Sequence, residues 1–139
     1  MGQSKPFRPT AIVVEDDDIQ REMLALLLEE QFDVLQCEDA ETAALALKMR
    51  HPSLVVTDIS LVGKMDGVDL AHYAQQLHSG VRIIVISGQP LPRPLPPGAK
   101  FFIKPLYPTT LLHEAGAITA LAPRPQASQR GEVAKARRA

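Results

Sequence analysis

Short, continuous apolar runs punctuate the chain, separated by longer stretches of mixed character. Ala11 to Val14, Val34 to Cys37, Leu54 to Thr57, Ile83 to Ile86 and Phe101 to Ile103 are the candidate strands. Runs this brief, apolar throughout, suit strands buried on both faces of a parallel sheet. Most of the gaps between them are long enough for a helix, and that alternation predicts βαβ units joined by right-handed crossovers. In the first gap Ile19, Met23, Leu26, Leu27 and Glu30 fall at helical spacing, with Asp18 as N-cap. In the second, Asp39 caps a helix that runs to about Met49 and stops at His51-Pro52. The third gap predicts a helix over Gly67 to His78 with Val68, Ala71, Ala74 and Leu77 on one side and Gly80 at its end. Leu111, Leu112, Ala115 and Ile118 form the inward face of a last helix, closed by Ala122-Pro123.

The fourth gap breaks the rhythm. Between Ser87 and Phe101 stand prolines 90, 92, 94, 96 and 97. Each removes a backbone donor and disfavours helix at the residue before it. The expectation is an extended, polyproline-like connection that leaves part of one sheet face thinly covered. It is either a tolerated surface loop or a rebuilt partner-binding face.

Charge enters where the runs end. The first run stops at Glu15-Asp16-Asp17-Asp18, and two later ones stop at Asp58 and Lys104. In a parallel sheet these ends gather at the carboxyl edge, where open α/β folds bind their ligands. Carboxylates brought together raise one another's pKa unless a cation lies between them, and oxygen-only clusters suit Mg²⁺. The pattern points to a metal-assisted phosphate site.

Composition narrows the setting. With 139 residues, 45 % of them hydrophobic, the chain has room for one domain with a two-face core. The net charge of −1 conceals an acidic body and a basic tail, in which Arg124, Arg130, Lys135, Arg137 and Arg138 face only Glu132. Beyond Leu121 no apolar periodicity remains, so residues 8–121 are the expected domain and 1–7 and 122–139 its flexible ends. The tail offers five cations, no aromatics and no recognition helix, which argues against direct nucleic-acid binding. A lone Cys37 excludes an internal disulfide and fits a reducing compartment. Neither an apolar stretch long enough for a membrane span nor a secretory signal is present, so a cytoplasmic location is expected.

Five motifs in register identify a resemblance: Val13-Val14-Glu15-Asp16-Asp17, Leu54-Val55-Val56-Thr57-Asp58, Met65-Asp66-Gly67, Ile84-Val85-Ile86-Ser87-Gly88 and Phe102-Ile103-Lys104-Pro105. Over residues 8 to 121 the chain resembles the receiver domain of two-component response regulators. The resemblance implies a flavodoxin-like fold, a doubly wound five-stranded parallel sheet of order 2-1-3-4-5, here with the fourth helix replaced by the Pro-rich loop. It implies that Asp58 accepts a phosphoryl group from a phosphohistidine on a histidine kinase or histidine phosphotransfer protein. An aspartate carboxylate suits that role as the nucleophile of an acyl phosphate. Glu15 and Asp16 match the acidic pair that holds Mg²⁺, with Asp58 and the backbone carbonyl of Ser60 completing the protein ligands. A register one residue later, Asp16 and Asp17, stays open, with Asp17 and Asp18 otherwise solvent-facing or helix-capping.

By the same resemblance Lys104 stabilises the transferred group, and its bond to Pro105 is commonly cis in the family. Ser87 supplies the hydroxyl that swings to the phosphate, and Phe101 is either the switch aromatic that follows it or a core residue. Ser60 and Gln89 hold the positions that tune hydrolysis of the acyl phosphate, and neither is charged. The loop from Ile59 to Met65 is one residue longer than the family's commonest, with Val62 or Gly63 where proline is usual, which predicts extra mobility. The chain is thus expected to be a phosphoacceptor that assists its own phosphorylation and dephosphorylation, not a turnover enzyme. Output would run through protein contacts or by draining phosphate from a kinase, and pairing of two copies as a weak homodimer stays open. Two other readings compete: a receiver-like binding module that is not phosphorylated, and an aspartyl-phosphate phosphatase. The phosphatase would place a second acid two residues after its nucleophile, where this chain has Ser60.

Overall fold

The computed structural model describes residues 8–121. The ends expected to be flexible, the Ile118 side chain and the Ala122-Pro123 stop lie outside the described residues. Among the described residues five strands and four helices follow one another: β1 Thr10–Val14, α1 Asp18–Leu28, β2 Asp33–Cys37, α2 Ala40–Met49, β3 Leu54–Asp58, α3 Gly67–Leu77, β4 Arg82–Ser87, β5 Lys100–Ile103 and α4 Pro108–Leu121. All strand pairs are parallel, and their order is β2-β1-β3-β4-β5. This is the flavodoxin-like arrangement, with its topological switch between β1 and β3, the position where such sheets receive ligands.

Burial explains why the apolar runs are unbroken. β1, β3 and β4 lie in the middle of the sheet, and alternate residues along each strand face opposite sides. On one side Ile12, Val14, Val55 and Val85 pack with Ala43 and Leu47 of α2 and Val68, Ala71 and Ala74 of α3. On the other, Ala11, Val13, Val56 and Ile84 pack with Leu28, Phe32, Leu111 and Ala115. Each fully buried Val, Leu or Ile here contributes roughly 1.5–3 kcal/mol of transfer free energy. β5 departs from the expected burial. It forms the sheet edge, and Ile103 is 53 % exposed.

The first three helices begin on side-chain caps. Asp39 accepts from the Thr42 amide at 2.8 Å, as the sequence predicts. At α1 the cap is Asp17, not Asp18: the Asp17 carboxylate accepts from the Gln20 amide at 2.9 Å, and Asp18 pairs with Arg21 instead. The expected inward stripe of α1 is also corrected. Ile19, Met23 and Leu26 are exposed, whereas Ala25 and Leu28 are buried. Residues 23 to 28 are apolar in succession, so periodicity alone does not single out a face. Leu77, predicted on the inner side of α3, is 43 % exposed at its last turn.

Between β4 and β5 the chain forms no helix, in line with its prolines. The sheet face beneath is nonetheless covered. Pro96 is buried, Leu95 and Ala99 pack on the core beside Phe101, and Ile83 and Val85 are almost wholly shielded. The segment is strapped to α3 through its own carbonyls, Pro94 O contacting His72 Nε2 at 3.0 Å and Pro97 O accepting from Gln75 Nε2 at 2.8 Å. Prolines lack amide donors but keep strong acceptors, so the partner helix supplies the donors.

Candidate functional site

Three chain segments meet at the carboxyl edge beside the switch point. β1 delivers Glu15 and Asp16, β3 ends at Asp58, and β5 is followed by Lys104. The carboxylates of Glu15, Asp16 and Asp58 each offer an oxygen within 4.8 Å of the others. Lys104 Nζ lies 3.2 Å from Asp58 Oδ2 and 3.5 Å from Glu15 Oε1, and donates to Gln20 Oε1 at 3.0 Å. Asp58 is 8 % exposed and Glu15 2 %, whereas Asp16 faces solvent. Three acids and one lysine therefore share a cleft from which water is partly excluded.

The electrostatics follow from that crowding. Burial raises the Glu15 pKa above the usual carboxylate range, with the Asp58 charge adding to it, and these outweigh the Asp17 amide bond and Lys104. Burial works against the Lys104 charge, but Asp58 and Glu15 together overcome it and raise the lysine's pKa. Cys37, at the end of β2, is taken out of chemistry by burial and by Asp39, which push its thiol up to about 11.

Backbone contacts fix the directions of these groups. The Glu15 amide donates to Cys37 O at 3.1 Å, Arg21 Nη1 donates to Glu15 O at 2.9 Å, and the Asp17 amide donates to Glu15 Oε2 at 3.1 Å. Lys104 N donates to Ser87 O at 2.8 Å, and the Lys104–Pro105 bond is cis. After β3 the chain must double back at once into α3, which Gly67 allows: a Cβ there would stand 2.0 Å from Asp58 O. The Gly67 amide donates to Ile59 O at 2.9 Å.

The remaining sequence-predicted residues are spread around this centre. Ser87 is buried at the end of β4, and its Oγ accepts from the Gln89 amide at 2.9 Å. Gln89 and Ser60 are exposed, and Phe101 is half-buried against the α2–α3 side of the core. Asp17 caps α1, and the carboxylates that come within reach of one another are those of Glu15, Asp16 and Asp58.

Several participants carried no local sequence signal. Gln20 and Arg21 touch the site because α1 begins there. Glu41 of α2 accepts from the amides of Lys64 and Met65 at 2.7 and 3.0 Å, which ties the 59–66 loop to α2. Those bonds, Met65 first, lower the Glu41 pKa. Arg93 of the proline strap pairs with Asp66 at 2.8 Å and Asp69 at 3.0 Å, while Asp66 and Asp69 form a capping box at the start of α3. Partial burial would raise Asp66, but the Arg93 and Asp69-amide bonds outweigh it and lower its pKa.

Beside the acids a cavity of about 460 Å³ opens between α1 and the segment after β5, lined on its apolar side by Met23, Leu24, Leu27, Leu106 and Pro108. Among the described residues no helix is long and apolar enough to cross a membrane.

Known proteins share this arrangement. The chain is 31 % identical over 78 residues to the nitrogen assimilation regulatory protein NtrX of Azorhizobium caulinodans, covering 55 % of this chain and 17 % of that protein. It is 33 % identical over 84 residues to the DNA-binding response regulator MtrA of Mycolicibacterium smegmatis, covering 60 % and 36 %. It thus spans about a third or less of the length of either relative. Among solved structures, the receiver domain of the hybrid histidine kinase CckA superposes with a TM-score of 0.69 at 26 % identity, covering 78 % of this chain and 97 % of that one. A CheY-like receiver domain from Methanospirillum hungatei gives 0.74 at 23 %, covering 82 % and 96 %, a likeness of fold. A family model described as the response regulator receiver domain matches residues 11–95. That span is more than half of the chain and contains the acids of β1 and the aspartate that ends β3, so the chain belongs to the response regulator receiver domains of two-component signalling.

Proposed function

We propose that this receiver domain is a phosphorylation switch in which Asp58 takes a phosphoryl group from a phosphohistidine of a histidine kinase or histidine phosphotransfer protein. The observation that carries this reading is the Asp58 carboxylate itself, held 3.2 Å from Lys104 Nζ and within 4.8 Å of the Glu15 and Asp16 oxygens. An Asp58 oxygen attacks phosphorus, the P–N bond to the donor imidazole breaks with its electron pair returning to nitrogen, and an acyl phosphate forms. Glu15, Asp16 and Asp58, with the Ser60 carbonyl, would hold a Mg²⁺ ion, which when bound supplies charge neutralisation for the phosphoryl oxygens. The donor set fits: hard oxygens only, with one lysine against three acids.

Lys104 is half-buried and held charged against that burial by Asp58 and Glu15, so it is preset to meet negative charge on the incoming group. Ser87 and Phe101 form the responding pair, and Ser60 and Gln89 flank the path of attacking water. The exposed Met23, with Leu24, Leu27 and Leu106 along the same cavity, gives a donor helix an apolar landing next to Asp58. Output then runs through protein contacts in the cytoplasm, and the chain is a phosphoacceptor, not a turnover enzyme.

Incubation with acetyl phosphate and Mg²⁺ tests this, read by intact mass. One phosphoryl adduct is expected, dependent on Mg²⁺ and absent from Asp58→Asn. An unmodified wild-type chain that binds Mg²⁺ refutes the switch and leaves a silent binding module.

A further inference from the structure

The 59–66 loop connects the acceptor strand to α3 and is hydrogen-bonded to α2 through the Glu41 carboxylate. Glu41 Oε2 accepts hydrogen bonds from two successive amides, Lys64 at 2.7 Å and Met65 at 3.0 Å. Two successive N–H groups that share one side-chain oxygen hold the turn in one shape, and without that acceptor they turn to water. The turn is shaped for it. Gly63 sits at φ +103°, and a Cβ there would stand 2.7 Å from Glu41 Oε1. The loop is thus fastened at three places: to Asp58 at its start, to Glu41 near its end, and by the Gly67 amide to Ile59 O. Between the first two lies Ser60.

The fastening meets a need that the sequence creates. The loop is long and has Val62 and Gly63 in place of a rigidifying proline, so its own residues do not define one path. A carboxylate reaching in from another helix does. Because Ser60 immediately follows the residue after Asp58, a shift of the loop moves the Ser60 carbonyl relative to the acceptor.

We propose that Glu41 is a positioning residue for phosphoryl acceptance: it touches no reacting atom, and it sets the path of the 59–66 loop so that the Asp58 carboxylate and the Ser60 carbonyl face the same cation. This rests on Asp58 being the acceptor. Displacements near 1 Å at a reacting centre commonly cost one to two orders of magnitude in rate.

The experiment measures the acetyl phosphate reaction across a Mg²⁺ titration for wild type, Glu41→Ala and Glu41→Gln, with hydrogen exchange at the Lys64 and Met65 amides. Glu41→Ala is expected to lower the Mg²⁺-saturated rate about tenfold and to raise the half-saturating Mg²⁺ concentration. Its two amides should exchange faster. Glu41→Gln keeps an oxygen at the same reach and should recover most of the rate, which a charge effect alone would not allow. Glu41→Ala within twofold of wild type at every Mg²⁺ concentration overturns the proposal, as does a Glu41→Gln as impaired as Glu41→Ala. Should Glu41→Ala fail to fold, Glu41→Asp, which keeps the charge but falls short of the two amides, takes its place under the same criteria for rate and exchange. A wild-type chain that accepts no phosphoryl group sinks the acceptor reading instead, and unchanged Mg²⁺ affinity in Glu41→Ala then separately sinks the clamp.

Discussion

Two carboxylate clusters lie close together along this chain's fold, and they are finished differently. At Asp66 and Asp69 two acids meet the Arg93 guanidinium, cap α3 reciprocally and stand partly in water. Both acids there reach the same guanidinium, and Asp66 is held below the usual carboxylate range. At Glu15, Asp16 and Asp58 three acids share one lysine in a shielded cleft, and Glu15 is held above that range. The first, better balanced cluster has both its carboxylates engaged in a helix cap and ion pairs. An unbalanced one costs stability in isolation and is a receptor for positive charge.

Gly67 joins the two, since it follows Asp66 and packs on Asp58 O. Gly67→Ala, whose Cβ would meet backbone rather than a movable side chain, should break both clusters at once and destabilise the domain by on the order of 3 kcal/mol. Thermal unfolding reads this directly; a variant as stable as wild type would show that the β3–α3 connection can yield.

The unbalanced cluster predicts a sign with pH. The folded state raises the Glu15 pKa, so the native chain holds that proton more tightly than the unfolded chain does. This group's contribution therefore falls as pH rises from the ordinary carboxylate range of about 4.5 toward neutrality. Without divalent cations Glu15→Gln should raise Tm at pH 7 and change it little at pH 4, while weakening Mg²⁺ binding in the same protein. An equal effect of Glu15→Gln on Tm at both pH values would contradict the account of crowding.

The smallest effect belongs to the balanced cluster. Arg93→Ala removes an exposed ion pair, for which a Tm shift of about 4 °C or less is expected, with Mg²⁺ affinity and the phosphorylation rate unchanged. A fall in either would mean that the two clusters communicate through Asp66.

The contrast also marks what could be read from the residues alone. Strand positions were legible because buried parallel strands leave unbroken apolar runs, and each run's end placed its charge at one edge. Asp16, Asp58 and Lys104 could therefore be gathered on paper. The inner face of α1 was not legible, because Met23 to Leu28 is apolar without interruption and the sheet, not the period, chooses which side it buries. Nor were Glu41 and Arg93, whose partners lie 23 or more residues away and follow no repeat. Side chains that bind backbone amides or distant acids leave no pattern in their own neighbourhood.

The way the proline strap is held has a corollary for substitution. His72 and Gln75 grip main-chain oxygens at 94 and 97, an atom that every amino acid possesses. Substitutions at those two places can alter what the surface displays while the grip stays the same.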